Sequence, residues 1–422
     1  MKSYLAFILA MPFYCMAQGN IKTDTLPAPS KSTGNYSKVI GWKHGRTPKA
    51  PPGFTVTKYA DGFENPRWMY VTPNGDVLVA QSNSNYSFLK RIGASIIGAG
   101  KSKNLKHSAD VITLLRDTDK DGVVDLRETF LKEGLSQPFG MLVIGNWFYV
   151  ANTDAVLRYP YVPGQTKITG KGEKIVDLPA GKHNRHWTRN IIANADNSKI
   201  YIAVGSGSNI AEEGITNEIL RACILEVNPD GSELRVYASG LRNPVGMGWA
   251  PGTKTLWTVV NERDGLGENL VPDYLTSVKE NGFYGWPYVY FGQNEDVRVK
   301  EKKPELVKKT IVPDMAMGPH TASLGLAFYT GNSFPEKYRN GAFIAQHGSW
   351  NRKILSGYKV VFVPFKDGQP SGKYEDFLTG FIVDPNKDKV YGRPVGVVFM
   401  LDGSLLLTDD KTNTVWRVSA SK

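Results

Sequence analysis

Six stretches of the 422-residue sequence follow one plan, and that plan leaves few folds open. Each begins with a residue that is usually polar, then Pro or a substitute, followed in four of the six by x-Gly-apolar. A strand, a turn and a second strand come next. The copies are NPRWMYVTPNGDVLVAQ from Asn65, QPFGMLVIGNWFYVAN from Gln137 and HWTRNIIANADNSKIYIAVG from His186. NPVGMGWAPGTKTLWTVVN follows from Asn243, ASLGLAFYTGN with GAFIAQH from Ala322, and RPVGVVFMLDGSLLLTDD from Arg393. Val, Ile, Tyr, Trp and Phe fill the runs, and Asn-Gly, Asp-Gly and Pro-Gly pairs bound them, as in strands joined by tight turns. A unit of this kind cannot bury its apolar face alone and does so against copies of itself. Six copies predict an all-β fold, a six-bladed β-propeller. GFTVTKYADGF, Gly53 to Phe63, precedes the first copy and suits an outer strand that closes the ring against the last blade. A large sandwich or two barrels are the alternatives, and the repeat count argues against both.

Ahead of the repeats, MKSYLAFILAMPFYCMAQGN reads as an export signal: Lys2, a short apolar run, then small residues before a cleavage point. The run is too short to span a bilayer. Cys15 follows the bulky Tyr14, which disfavours lipidation. The predicted layout is residues 1–17 as signal peptide, 18–52 as N-terminal extension and 53–422 as propeller. The mature chain would be periplasmic or secreted, with no transmembrane segment. It would keep one cysteine, Cys223, and hence no internal disulfide. No CxxCH is present for c-type haem. The net charge of +11 owes much to KSKNLK and VRVKEKKPELVKK, which read as solvated loops, and no nucleic-acid-binding motif accompanies it.

In a propeller the residue ahead of each inner strand lies at one mouth of the central channel. The repeat puts Asn65, Gln137, His186, Asn243, Ala322 and Arg393 there. Loops at one end of a rigid scaffold commonly carry the site; the plainer reading is that these residues only shape turns. His186, in HNRHWTRN, is the candidate general base. Arg185 beside it would keep the imidazole uncharged or bind an anion, and His183 reads as peripheral. Arg242, Asn243 and Arg393, with Arg352 of QHGSWNR, suggest an anion bearing several carboxylates. His320 and His347 flank the fifth blade.

Two stretches suggest calcium. NERDGLGEN, Asn261 to Asn269, combines acids, amides and glycines suited to oxygen ligation, though a plain turn is the alternative. DTDKDGVVDLRE carries Asp117, Asp119 and Asp121, the Val123 carbonyl, Asp125 and Glu128 at the spacing of a calcium loop, with Gly122 at the turn position. Its flanks read as strands, so the expected site is a structural one between strands. GxSxG, HExxH and P-loop signatures are absent from the sequence.

GHWTRN-type, GLRNP-G, GFYGWP, LGLAFYTG, GAFIAQHGSWNR and GRPVGV segments together resemble the soluble sugar dehydrogenases that use pyrroloquinoline quinone (PQQ), in particular their sorbosone dehydrogenase-like branch. The resemblance runs from about Gly53 to the C-terminus and implies the same six-bladed fold. It implies PQQ over the axial mouth, held by Gln137, Arg242, Asn243, Arg352 and Arg393. It further implies a calcium on the backbone carbonyls of Arg263 and Asp264, His186 as base, and hydride transfer from a small sugar or aldehyde. Electrons would leave to an external acceptor. Arg185 stands where the glucose-oxidising relatives have an acid, and Trp187 where they have an amide. A calcium-dependent lactonase and a non-catalytic glycan- or protein-binding propeller are the other readings of the scaffold.

Overall fold

The computed structural model describes residues 26–85, 88–96, 98–102, 105 and 107–421. The expected signal peptide lies outside them. Six antiparallel sheets follow one another along the chain. Blade 1 is Pro66–Val71, Val77–Gln81, Val111–Arg116 and Leu126–Leu131. Blade 2 is Met141–Ile144, Trp147–Ala151, Ala155–Pro160 and Glu173–Asp177. Blade 3 is Arg189–Ala193, Ile200–Val204, Cys223–Val227 and Arg235–Ser239, extended by Gly282–Phe283, which pairs in parallel. Blade 4 is Pro244–Trp249, Leu256–Val260, Pro272–Ser277 and Met315–Pro319. Blade 5 is Ser323–Phe328, Ala342–Gln346, Lys359–Val363 and Glu375–Leu378. Blade 6 takes Pro394–Phe399, Leu405–Asp409 and Thr414–Ala420 from the C-terminus and its outer strand, Phe54–Ala60, from the other end of the chain. The ring is a six-bladed β-propeller closed by the segment expected to close it.

The glycine of the repeat has a packing cause. A Cβ on Gly246 would stand 2.6 Å from the Leu324 carbonyl and the Leu326 amide of the next inner strand. Gly325 meets Val395 and Val397, Gly396 meets Arg67 and Trp68, and Gly140 meets Asn190 and Ile191 in the same way. Neighbouring inner strands therefore touch main chain to main chain at one level around the axis. The pattern also fixes a register. In blade 3 the residue at the glycine level is Asn190, whose Nδ2 donates to the Val245 carbonyl at 2.9 Å. Counting back, Trp187 rather than His186 is the counterpart of Asn65, Gln137, Asn243, Ala322 and Arg393. The expected alignment of blade 3 is thus corrected by one residue, and His186 sits one position further out from the channel.

The N-terminal extension lies on the mouth face of blades 4 to 6. Ser30 donates its amide to the Leu266 carbonyl (2.8 Å) and Asn35 to that of Trp350 (2.7 Å). Lys38–Val39 pairs in parallel with Lys389–Val390, and the Trp42 indole donates to Asp409 Oδ2 at 2.8 Å. A cavity of about 410 Å³ is lined by Ser84, Gln137, Lys182, His183, Arg185 and Trp187, among others. Among the described residues no helix is long and apolar enough to cross a membrane. Cys223 is buried and unpaired.

Candidate functional site

The HNRHWTRN stretch is shaped by its own buried arginine. Arg189 is fully buried, and its guanidinium donates to the carbonyls of His186 (2.7 Å), Thr188 (3.0 Å) and Pro179 (2.7 Å) and to Asn184 Oδ1 (2.9 Å). A delocalised cation with a planar fork of donors suits this: it converts a polar loop into a fixed shelf. His186 stands on that shelf. Its Nδ1 lies 2.8 Å from the Ser206 carbonyl, which can only accept, so Nδ1 carries the proton and Nε2 keeps the lone pair. Burial lowers the His186 pKa well below its usual value, and the Arg242 charge, then Arg185 and Arg189, push the same way against the Ser206 hydrogen bond. The imidazole is therefore neutral at neutral pH.

Asn243 adjoins it. Gly205 separates the two: a Cβ there would stand 2.5 Å from His186 Cβ and closer still to Asn243 Oδ1. That amide oxygen is buried and has no hydrogen-bond partner among the described residues, which is costly unless something polar completes it. A neutral imidazole and an unsatisfied amide thus meet across one glycine.

The other mouth residues are engaged internally. Asn65 accepts from Lys411 at 3.1 Å, and Gln137 donates to the Asn83 carbonyl at 2.7 Å while also lining the cavity. Arg393 is buried and donates to the carbonyls of His347 (3.0 Å) and Gly348 (2.9 Å). Arg242 places donors on the carbonyls of Asn209, Asn261 and Glu262, on Asn209 Oδ1 and on Asp264 Oδ2. Arg352 donates to Asn269 Oδ1 at 3.0 Å. The arginines brace loops, and the turn-shaping reading holds for Asn65 and Arg393.

The sequence did not point to two of the buried partners at the mouth, Asn209 and Asp410. Asn209 is the hub between blades 3 and 4: besides Arg242 it takes the Trp286 indole on its carbonyl (2.9 Å) and the Asp264 amide on its side chain (2.9 Å). At the junction of blades 1, 5 and 6, Asp410 accepts from Arg67 (2.7 Å), Lys411 (3.0 Å) and His347 Nε2 (3.0 Å). Burial, with the Arg393 charge, holds His347 neutral at a pKa of about 3. A Lys next to Asn or Thr in a C-terminal hairpin carries no signal of burial, and Lys411 passes for a surface residue.

The calcium expectations fare differently. In the hairpin, carboxylate oxygens of Asp117, Asp119 and Asp125 lie within 4.8 Å of one another. Asp121 caps the Val123 amide (2.7 Å), and Glu128 is exposed on the outer strand, paired with Leu114. Glu128 is therefore not a member of the group. An exiting strand advances about 3.3 Å per residue and carries position twelve away, where a helix would bring it back. At the axial loop, the Asp264 carbonyl, one of the two expected calcium ligands, is already engaged. The Asp264 carbonyl already accepts from Asn209 Nδ2 (3.0 Å) and Arg298 Nη1 (2.8 Å), and Arg263 is a fully buried cation bound to Glu262 (2.9 Å) and Asp296 (3.3 Å). Arg298, expected in a solvated loop, is turned inward on Asp296 at 2.7 Å.

Comparisons with known proteins agree with this architecture. An uncharacterized protein of Borreliella burgdorferi is 31% identical over 299 residues, 68% of this chain and 77% of that one. A pyrroloquinoline quinone-dependent pyranose dehydrogenase of Coprinopsis cinerea is 30% identical over 118 residues, 24% of this chain but only 15% of the fungal one. The solved holo PQQ domain of pyranose dehydrogenase from Coprinopsis cinerea superposes with a TM-score of 0.70 over 91% of this chain and 100% of that domain, at 20% identity. The TrAA12-like family matches residues 48–281 and 291–421, all six blades, with a break at the segment that carries Trp286 and Pro287. A propeller with a neutral histidine at its mouth, matched over almost its whole length, is a member of the TrAA12-like family.

Proposed function

We propose that the chain is an exported oxidoreductase that oxidises a small sugar, or a sugar-derived aldehyde of the sorbosone type, with PQQ as its cofactor. The observation that carries this reading is the fixed, neutral His186 beside the unsatisfied amide of Asn243. The similarity to a pyrroloquinoline quinone-dependent pyranose dehydrogenase supports it. The cavity offers Lys182 as a cation, Trp187 as an aromatic wall and Gln137 as an amide, with His183 and Arg185 beside the carboxylates of Glu213 (3.2 Å) and Glu212 (3.8 Å), which also line it. Asn243 would complete its amide on the cofactor. Arg242 and Arg393, held behind the mouth, would supply fixed positive potential rather than direct contacts, with Arg352 further out.

In this reading the hydride acceptor is PQQ. His186 does the proton work. Its Nε2 lone pair takes the proton of the hydroxyl, or of the hydrated aldehyde, being oxidised, while Nδ1–H stays on the Ser206 carbonyl and stabilises the imidazolium. Ser206 is itself set, its hydroxyl donating to the Ser208 carbonyl at 2.7 Å. Arg185, paired loosely with Glu212 at 3.8 Å, replaces an acid at the base's side and brings positive charge there. We also propose a structural calcium on Asp117, Asp119 and Asp125, at the end of the propeller opposite the mouth. The test of the main reading is spectroscopic. Apo protein given PQQ should gain a quinone absorption band that an aldose or aldehyde bleaches; no spectral change across a broad panel of sugars refutes it.

A further inference from the structure

The loop between the second and third strands of blade 4 turns carbonyls inward at the mouth, as a cation site would, yet protein donors take five of the seven from Asn261 to Gly267. The carbonyls of Asn261 and Glu262 accept from Arg242, at 3.2 and 2.6 Å. That of Asp264 accepts from Arg298 and Asn209, at 2.8 and 3.0 Å. Leu266 accepts from the Ser30 amide of the N-terminal extension at 2.8 Å, and Gly267 from His320 Nε2 at 2.8 Å. The carboxylates are taken as well. Glu262 binds Arg263 at 2.9 Å, and Asp264 binds Asn351 through Oδ1 (2.6 Å) and Arg242 through Oδ2 (3.2 Å). A carbonyl oxygen has two lone pairs, and those of Asp264 are both used.

Arg298 is held in place rather than resting there. Asp296, fully buried, grips it with both oxygens, receiving Nε at 2.9 Å and Nη2 at 2.7 Å, while also accepting from Arg263. A Cβ on Gly265 would stand 2.8 Å from Arg298 Nη1, and Gly265 has φ +87°, so the chain bends around the guanidinium with the one residue that tolerates the bend. A divalent ion on these carbonyls would face the Arg298 and Arg242 guanidinium groups that already donate to them.

We infer that the chain's own guanidinium groups occupy the cation position at this mouth, and that the PQQ site works without a calcium ion in the 261–267 loop. The inference rests on the proposed function for its meaning but not for its test. Terbium, whose luminescence Trp286 beside Asn209 would sensitise, is titrated onto the full chain carrying Asp117→Asn, Asp119→Asn and Asp125→Asn, which silence the hairpin. The expected result is no saturable signal, and an equal affinity for PQQ in EDTA and in millimolar calcium. A saturable signal that calcium displaces, or a tenfold gain in PQQ affinity with calcium, overturns the inference. Should the triple variant not fold, calorimetry of the wild-type chain decides: one calcium per chain at most agrees, and two overturns it. Absence of PQQ binding in both buffers, with no terbium signal, would remove the oxidoreductase reading and leave the filled loop intact.

Discussion

Gly205→Ala is the sharpest single change for asking whether His186 and Asn243 act together. The methyl group would stand 2.5 Å from His186 Cβ and nearer still to Asn243 Oδ1. Ordinary contact starts near 3.4 Å, so both side chains must retreat by about 1 Å, the scale of misplacement that costs about a hundredfold in rate. The backbone itself does not object, because Gly205 is absent from the residues with positive φ. Overpacking at this site should cost about 1–3 kcal/mol, a shift of a few degrees in Tm. The assay is kcat and KM with reconstituted enzyme, beside a thermal scan and a PQQ titration. Gly246→Ala is the control: its methyl group would meet the Leu324 and Leu326 main chain at 2.6 Å, with no site residue in between. The expectation is a loss of kcat in Gly205→Ala well beyond that in Gly246→Ala at similar destabilisation. Equal losses, or a Gly205→Ala enzyme within threefold of wild type, would refute the pairing of base and amide.

Other outcomes follow from the same geometry. His186→Ala should lower kcat by about 10²–10⁴, the range for a lost general base, and leave the bound-quinone spectrum in place, as single-turnover absorption would show. Because the folded-state pKa of His186 is depressed, the base stays unprotonated through mildly acid pH, and the acid limb of kcat/KM should fall below the usual histidine range. Stability has opposed contributions in acid. His347, with a pKa of about 3, binds a proton more readily unfolded, so its contribution is lost as pH falls below the ordinary histidine value. Asp409, raised to about 6 by burial, binds its proton more readily folded and gains stability as pH falls through 6. Asp409→Asn should therefore steepen acid unfolding between pH 6 and 4 in denaturant titrations. Calcium should raise the Tm of the wild-type chain through the hairpin, by RT ln(1 + [Ca]/Kd), and Asp117→Asn should abolish the rise.

The ring was legible because an apolar inner strand recurs six times, four of them opened by a glycine where inner strands touch. The closing strand was legible because an unpaired apolar segment ahead of the first copy needs a partner. Blade 3 was read one residue out of register because Asn190 stands in for the glycine and makes its own hydrogen bond across the seam. The mouth arginines were located, but a guanidinium can face a ligand or brace carbonyls, and sequence does not say which way it turns. Arg298 and Asn209 went unseen because their partners lie far off in the chain, one of them inside a run of charge that reads as surface. Glu128 was misassigned because loop spacing was transferred without the helix that makes that spacing useful.

The N-terminal extension and the strand Phe54–Ala60 emerge first in synthesis, yet their partners, Lys389–Val390 and Thr414–Ala420, are made last. Ring closure is therefore a contact between the two ends of the chain, the most non-local kind and the slowest to form. Until Thr414–Ala420 is made, Phe54–Ala60 has no partner in blade 6, and it and Leu405–Asp409 are both exposed edges of the sort that pair with other chains. Loss of even the final strand would leave two such edges rather than one weakened blade. The C-terminus of this protein is thus a clasp, and a shortened chain should be found in aggregates rather than as a five-bladed remnant.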